Sequence, residues 1–232
     1  MNEKSSTSVS KSRLTKRELR RKRIRRNNRI TAVVFAIALV AAVLYIFRDD
    51  ISEKRKQAVQ IRYPMKYSDS VIQYSALYNI DKFLIFATIK TESGFDAAAV
   101  SETGARGLMQ IMPDTFDWIK FRFRVDVGDK SEADTEYYAM YTPETNIKYG
   151  AYYLSYLAEK FADTSDGLSD DEVDLIACGY YAGAGGVSAW LENKAYSKDG
   201  KTLDKIPYRD AENYAKKIRS AYKKYLELYQ IG

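Results

Sequence analysis

Two kinds of hydrophobic pattern divide the chain. An uninterrupted apolar run covers residues 30–47, and from about residue 68 onward apolar residues recur at the three- and four-residue spacing of amphipathic helices. The second pattern predicts a mainly α-helical domain in the C-terminal part. The predicted helices run from Ser68 or Asp69 to near Asn79, from Asp81 to Gly94, from Thr142 through Phe161, from Ser169 onward, and from Ala211 towards the C-terminus.

Helix start signals support these assignments. Asp81 can cap a helix that is apolar nearly all round, which predicts a central helix buried by its neighbours. Thr142 precedes a proline, and Ser169 precedes three acids that favour the positive end of a helix dipole. The exception is KFRFRVDV at 120–127, where alternation predicts part of a small hairpin in an insertion or lid that reaches Tyr141.

The apolar run at 30–47, ITAVVFAIALVAAVLYIF, predicts a membrane-spanning helix. Its length is close to the ~20 residues that cross a hydrocarbon core. A cleaved signal peptide is the alternative, but its apolar region usually runs only ~7–15 residues before a small-residue cleavage site. This run ends instead in Leu44, Tyr45, Ile46 and Phe47. An uncleaved signal anchor is therefore favoured over a signal peptide and over a buried core helix.

The formal charge of +6 is concentrated before the apolar run. Positive charge on that side favours a cytoplasmic N-terminus and an extracellular C-terminal part. The basic stretch has no aromatic interleaving and no recognisable DNA-binding fold, so nucleic acid is not the expected partner. Its cations are Lys11, Arg13, Lys16, Arg17, Arg20, Arg21, Lys22, Arg23, Arg25, Arg26 and Arg29.

These patterns predict four segments. Residues 1–29 form a basic cytoplasmic tail, and residues 30–47 form the transmembrane signal anchor. Residues 48–66 carry mixed charge and end near Pro64, which indicates a stalk or a short solvated helix. Residues 67–232 form the folded domain, whose length suits one hydrophobic core.

Cysteine and histidine usage excludes several chemistries. The chain has one cysteine, Cys178, and no histidine, so Ser-His-Asp catalysis, Cys-His catalysis and His-ligated zinc sites are ruled out. Cys178 follows Leu175, Ile176 and Ala177 and is expected to be a small buried hydrophobic residue.

Glu92 is the candidate catalytic residue because it is the only acid beyond the cap of the predicted buried helix. Burial raises the pKa of a carboxyl, and a general acid working near neutral pH requires such a pKa. The glycine-rich stretch SETGARGLMQIMP follows, and its Gln110 offers a donor and an acceptor to a ligand. Protonation of a glycosidic oxygen fits these features.

The chain resembles the soluble lytic transglycosylase family over about residues 70–225. The resemblance rests on five motifs in order: TESGF, SETGARGLMQIMP, TPETNI, GYYAGAGGVSAWL and IPY before a last helix. Their combination is specific, whereas each alone would be weak. It implies a lysozyme-like α-helical domain that acts on peptidoglycan outside the cell.

The resemblance also implies the site residues. The family's catalytic glutamate corresponds to Glu92, and its serine near the glycan acetamido group corresponds to Ser101. The family sequence Ala-Tyr-Asn-Ala-Gly-Pro becomes Gly-Tyr-Tyr-Ala-Gly-Ala, which keeps a tyrosine expected beside the catalytic carboxyl. The implied substrate-binding residues are Ser101, Gln110, Met112, Tyr180, Tyr181 and Asp210, with Tyr180 preferred to Tyr181, and with Asp210 one methylene shorter than the family's glutamate.

The implied reaction is non-hydrolytic cleavage between N-acetylmuramic acid and N-acetylglucosamine. One glutamate serves as acid and then as base, and a 1,6-anhydro ring forms without a metal or cofactor. A hydrolytic lysozyme of similar fold and a non-catalytic wall-binding module remain alternatives. Residues 30–47 would hold the enzyme at the membrane, beside a secretion, conjugation or division machine that the sequence does not identify.

Overall fold

The computed structural model describes residues 16–127, 135–163 and 167–230, apart from the side chains of residues 49–51, 55 and 56. The chain divides into two units, Met1–Val59 and Gln60–Gly232. The described parts are mainly α-helical, as predicted. The helices are α1 (Lys16–Arg62), α2 (Ser68–Tyr78), α3 (Lys82–Glu92), α4 (Pro113–Arg122), α5 (Pro143–Phe161), α6 (Asp170–Ala182), α7 (Ala184–Glu192) and α8 (Arg209–Tyr229).

Helix α1 contains the apolar run and continues through the mixed-charge residues to Arg62. Its Lys16–Arg48 part is long and apolar enough to cross a membrane. The apolar side chains of this part are exposed, with Phe35 and Ile46 both 70% accessible. Such a helix is consistent with an anchor or a signal sequence.

Helix α3 forms the centre of the second unit. Every residue from Phe83 to Ile89 is buried, which confirms the prediction for this helix. Its cap is also confirmed, because Asp81 Oδ1 accepts a hydrogen bond of 2.7 Å from the Phe83 N–H. Helices α5, α6 and α8 bury one face each around the same core, and Cys178 on α6 is buried there as expected.

The predictions for two further helix starts, those of α6 and α2, have different outcomes. The predicted cap of α6 is confirmed, because Ser169 and Glu172 form a reciprocal capping box. Helix α2 begins at Ser68, as predicted, but neither Ser68 nor Asp69, which the sequence also favours as caps, is its cap. Tyr67 occupies that position in the left-handed conformation, and its side chain makes no capping hydrogen bond.

The predicted hairpin at 120–127 is also wrong. Helix α4 continues to Arg122, and a π-helical turn covers Phe123–Val127. Within this segment Phe123 is buried, whereas Phe121 and Val125 are 60% and 58% exposed. A strand would place all three on one face. The buried positions Phe116, Ile119 and Phe123 instead follow helical spacing.

The rest of the predicted insertion is only partly described. Tyr137–Tyr141 form a 3₁₀ helix, and residues 128–134 lie outside the described residues. The Tyr137 hydroxyl donates to the carbonyls of Gly104 and Ile111 at 2.6 and 2.7 Å. This part of the insertion therefore packs against the loop that follows α3.

The segment that enters the second unit is fixed to α8. Tyr225 donates a hydrogen bond of 2.9 Å to the Pro64 carbonyl, and Tyr229 donates one of 2.8 Å to the Tyr63 carbonyl. The Tyr63 and Tyr225 rings also meet edge to face, with centroids 5.6 Å apart. The C-terminal half of α8 thus holds the chain where it enters this unit.

Candidate active site

Glu92 is the last residue of α3, three residues after Ile89, where the buried part of that helix ends. Its Oε1 accepts a hydrogen bond of 2.5 Å from the Tyr214 hydroxyl on α8. Burial raises the Glu92 pKa from 4.5 to about 7, and the Tyr214 hydrogen bond lowers it in part. A carboxyl with this pKa can release and recover a proton near neutral pH.

Two tyrosines, Tyr214 and Tyr180, lie beside this carboxyl, and a third contacts the Tyr214 ring. Tyr180 donates a hydrogen bond of 2.7 Å to the Met109 carbonyl. Burial raises the pKa of Tyr180 well above its usual value, and the nearby Glu92 charge adds to that rise. The Tyr181 ring lies 5.3 Å from the Tyr214 ring and is half exposed. Tyr180 therefore lies near Glu92, while Tyr214 supplies the hydrogen bond.

A buried asparagine on α5 holds the loop that follows Glu92. The Asn146 amide accepts a hydrogen bond of 2.8 Å from the Met109 N–H and donates to the carbonyls of Arg106 and Met140 at 2.9 and 2.8 Å. Gly107 has a φ of +76°, and a Cβ there would lie 2.1 Å from the Met140 carbonyl oxygen. Only glycine allows this close approach.

Ser93 connects the end of α3 to the same loop. Its hydroxyl lies 2.7 Å from the Leu108 carbonyl and accepts a hydrogen bond of 3.2 Å from the Phe95 N–H. Glu92 carries the carboxyl, and the next residue, Ser93, binds the loop at Leu108. The TESGF motif therefore contains both Glu92 and the serine that binds this loop.

Three of the predicted site residues, Ser101, Gln110 and Met112, lie in the loop between α3 and α4. Ser101 Oγ lies 2.9 Å from Thr103 Oγ1 and accepts a hydrogen bond of 3.0 Å from the Ala105 N–H. Gln110 has a φ of +48°, and its Nε2 donates to the carbonyls of Ala99 and Gly107. Met112 is 38% exposed at the end of the loop. The Gln110 amide nitrogen is therefore engaged within the loop.

Asp210 lies in the first turn of α8 and is exposed. It precedes Tyr214 by four residues, so the two side chains share one face of the helix. Asp210 therefore lies on the face of α8 that carries Tyr214, the hydrogen-bond donor to Glu92. An acid at this position also favours the positive end of the helix dipole.

Two residues with direct roles here were not identified from the sequence. In the sequence, Tyr214 is one position of the helix predicted from Ala211, and Asn146 is part of the TPETNI motif. The Tyr214 hydroxyl is not a distinctive signal, because Tyr222 and Tyr225 on the buried face of α8 carry one as well. Within residues 16–127, 135–163 and 167–230, no group of three or more His, Cys, Asp or Glu side chains is arranged to hold a metal ion.

Comparisons with known proteins identify the family of the chain. The family model described as the transglycosylase SLT domain matches residues 69–203. The soluble lytic murein transglycosylase of Escherichia coli K12 is 30% identical over 167 residues, which are 71% of this chain and 24% of that protein. The membrane-bound lytic murein transglycosylase C of Histophilus somni strain 2336 is 29% identical, over 69% of this chain and 46% of that protein.

Solved structures give the same result. The crystal structure of the 70 kDa soluble lytic transglycosylase from Escherichia coli has a TM-score of 0.59 and 26% identity, covering 72% of this chain and 25% of that one. The complex of the 70-kDa enzyme with bulgecin A has a TM-score of 0.58. The chain spans between about a quarter and a half of the length of these relatives. Its fold and its matched motifs place the chain in the SLT family of lytic transglycosylases.

Proposed function

We propose that the chain is a peptidoglycan lytic transglycosylase with Glu92 as its general acid and base. It cleaves the β-1,4 bond between N-acetylmuramic acid and N-acetylglucosamine and leaves 1,6-anhydro-muramic ends. The observation that carries the proposal is the Glu92 carboxyl, which is largely buried at the end of α3, has a pKa of about 7 and accepts a hydrogen bond from Tyr214.

The geometry suits a carboxyl that acts twice. Tyr214 donates to Oε1, which leaves Oε2 to carry the proton. Oε2 gives this proton to the glycosidic oxygen as the bond to the muramic C1 breaks. The ionised Glu92 then accepts the proton of the muramic 6-hydroxyl, whose oxygen bonds to C1. The proton returns to the enzyme, and no water is consumed.

The proposed mechanism uses one carboxylate, whereas ordinary glycosidases place a second carboxyl ~5–9.5 Å from the acid. Burial raises the Glu92 pKa, so this one group can serve as acid and then as base near neutral pH. Charge at C1 is then stabilised by the substrate's own acetamido group, as in substrate-assisted glycosidases. Ser101 positions that group, and Gln110, Met112, Tyr180, Tyr181 and Asp210 contact the glycan.

The membrane assignment is part of the same proposal. Residues 30–47 remain as an uncleaved anchor, residues 1–29 lie in the cytoplasm, and residues 67–232 lie outside the cell beside the wall. The exposed apolar side chains of α1 and the basic residues before them support this orientation.

An impermeant maleimide should label Lys217→Cys in intact cells but Ser6→Cys only after lysis. Native Cys178 is buried and stays silent.

The catalytic proposal is tested by mass spectrometry of muropeptides released from purified peptidoglycan by the full chain in detergent. The wild type should release anhydro-muramic products, and Glu92→Gln should release none, because an amide cannot donate and recover a proton. The matched control is Glu159→Gln, the same change on an exposed position of α5.

Each outcome discriminates between the candidate functions. Anhydro ends from the wild type and the control, but not from Glu92→Gln, support the proposal. Reducing ends would identify a hydrolytic lysozyme instead. Wall binding without any product would identify a non-catalytic binding module. Turnover by a folded Glu92→Gln variant would remove Glu92 from the mechanism.

A further inference from the structure

A positively charged pocket of about 510 Å³ lies in the second unit, where the chain enters it. Three segments line this pocket: the chain at Arg62, the last turn of α3 and the middle of α8. Its lining includes four cations and no acid, and we call it the cationic pocket. The cations are Arg62, Lys90, Lys216 and Lys217.

The charge of the cationic pocket is only partly neutralised. Lys216 forms an ion pair of 2.5 Å with Glu212, one turn earlier on α8. The Lys90 ammonium lies 5.6 Å from the centroid of the Tyr63 ring, which attracts it without cancelling its charge. Within the described part of the chain, neither Arg62 nor Lys217 has an ion-pair partner. The pocket therefore carries unbalanced positive charge.

The other cations in the middle of α8 are neutralised by acids of α6. Lys223 pairs with Asp170 at 2.5 Å, and Arg219 pairs with Asp174 at 3.2 Å. Lys217 and Lys223 are thus exposed lysines of the same helix with different electrostatic surroundings. A cluster of unbalanced cations concentrates anions, whereas a paired lysine adds little to that attraction.

The lining of the pocket suits a phosphate ester that carries an organic group. Arginine and lysine donate to phosphate oxygens, and the exposed Ser220 hydroxyl adds one more donor. Tyr63 and the buried Ala221 supply apolar surface beside these donors. The headgroup of an anionic phospholipid combines a charged phosphodiester with a small organic part, so it matches both kinds of surface.

The cationic pocket and the catalytic carboxyl lie on different faces of their helices. Lys90 precedes Glu92 by two residues on α3, and Lys216 follows Tyr214 by two residues on α8. Residues two apart on a helix do not face each other. An anion in the pocket is therefore distinct from the glycan bond that Glu92 is proposed to cleave.

The distance along the chain from the apolar run favours a membrane lipid as the source of the phosphate. Residues 48–61, 14 in number, separate the apolar run from Arg62. Even a fully extended segment of this length spans at most ~50 Å. If residues 30–47 cross the membrane as proposed, the entry of the second unit stays within that distance of the lipid headgroups.

We infer that the cationic pocket binds the headgroup of an anionic phospholipid and so ties the second unit to the membrane surface. Arg62, Lys90 and Lys217 bind the phosphate, and Ser220 donates a further hydrogen bond. The inference rests on the proposed anchor for its setting. Its test requires neither the orientation of the anchor nor cleavage of the wall.

A fluorine reporter in the pocket detects binding there separately from binding to the basic residues before the apolar run. Ser220→Cys provides an exposed thiol for a trifluoromethyl tag, whereas the native Cys178 is buried and stays untagged. The full chain in a neutral detergent is titrated with dihexanoyl phosphatidylglycerol and followed by ¹⁹F NMR. The same tag at Glu159→Cys, an exposed position of α5, controls for general effects of the lipid on the micelle.

The tag at residue 220 should shift and saturate with phosphatidylglycerol, and it should stay unmoved with zwitterionic dihexanoyl phosphatidylcholine. Lys217→Gln in the tagged chain should weaken binding about fivefold, the contribution of one cation beside an anionic lipid. Lys217→Gln combined with Arg62→Gln should weaken it about 25-fold. The matched control is Lys223→Gln, which removes a lysine already paired with Asp170 and should leave the affinity unchanged.

Four results would overturn the inference. An unmoved tag at residue 220 would remove the site. An equal response to inorganic phosphate would identify a site for free anions instead of a lipid. A response to soluble muropeptides and not to phosphatidylglycerol would identify a contact with the wall. Equal losses of affinity in Lys217→Gln and Lys223→Gln would mean that only the overall charge of the chain attracts the lipid.

The proposed lytic function and this inference can fail independently. Phosphatidylglycerol binding without anhydro products from peptidoglycan would contradict the lytic function and support the lipid site. Anhydro products together with an unmoved tag would support the lytic function and overturn the lipid site.

Discussion

Replacing Glu92 by glutamine should make the fold more stable above neutral pH while it removes cleavage. Glutamine is neutral at every pH and nearly matches protonated glutamic acid in shape. Its carbonyl oxygen can still accept the hydrogen bond from Tyr214. The only large difference between the two proteins is therefore the cost of ionising a buried carboxyl.

The size of the effect follows from the Glu92 pKa. This pKa is about 7 in the folded chain against 4.5 for an unperturbed glutamate. That difference corresponds to about 3 kcal/mol of folding free energy, an upper figure. Because the folded pKa is raised, the stability that comes from protonation is fully present below pH 4.5 and is lost as pH rises through 7.

The assay is urea unfolding of the full chain in detergent, followed by the fluorescence of its two tryptophans, which both lie in the second unit. Unfolding free energies of the wild type and Glu92→Gln are measured from pH 4.5 to pH 8. The advantage of the variant should increase across this range by up to about 3 kcal/mol and level off above pH 7. Glu159→Gln is the control for loss of a carboxylate at an exposed position.

Parallel curves for the wild type and Glu92→Gln would refute this reasoning, because they would mean that Glu92 ionises without cost in the folded chain. A wild type more stable than the variant at pH 8 would refute it more strongly. Glu92 would then contribute to stability as a charged group, and a proton donor near neutral pH would be lost.

Three further predictions follow from individual contacts. Tyr214→Phe removes the hydrogen bond that lowers the Glu92 pKa, so the alkaline limb of the pH–rate profile should move up by about one pH unit, and an unmoved limb would contradict the proposed role of Tyr214. Ser169→Ala removes the capping box of α6 and should cost about 1 kcal/mol in urea unfolding without changing the cleavage rate, so a slower rate would show that α6 stability affects the site. Gly107→Ala should leave little soluble folded protein, because its Cβ would meet the Met140 carbonyl, whereas Gly104→Ala has open space around its Cβ and should cost only ~1–2 kcal/mol of backbone strain. Equal yields of soluble protein from the two variants would contradict the clash at Gly107.

The sequence predicted most of the helical framework because burial there follows local periodicity. The cap at Asp81 and the helix start at Ser169 depend on residues within three positions, and both were confirmed. The predicted hairpin failed for the opposite reason. Alternation at 121, 123 and 125 is compatible with a strand, and the segment is helical where Phe123 packs against Tyr149 and Tyr152 of α5.

The candidate site was predictable only in part. Glu92 stood out as the one acid beyond the cap of a buried helix, so its position on α3 could be anticipated. Its partner Tyr214 lies 122 residues away and reaches it only because α3 packs against α8. Asn146 lies 37 residues from Met109, which it binds, and a buried amide cannot be assigned its partners before the loop is placed.

The attachment of Tyr63 and Pro64 to α8 has a mechanical consequence. Tension applied to the chain ahead of Tyr63 passes into the C-terminal half of α8 through the hydrogen bonds from Tyr225 and Tyr229. The same helix carries Tyr214 three turns earlier. A load on the chain ahead of Tyr63 is therefore borne by α8, the same helix that carries the hydrogen-bond donor of Glu92.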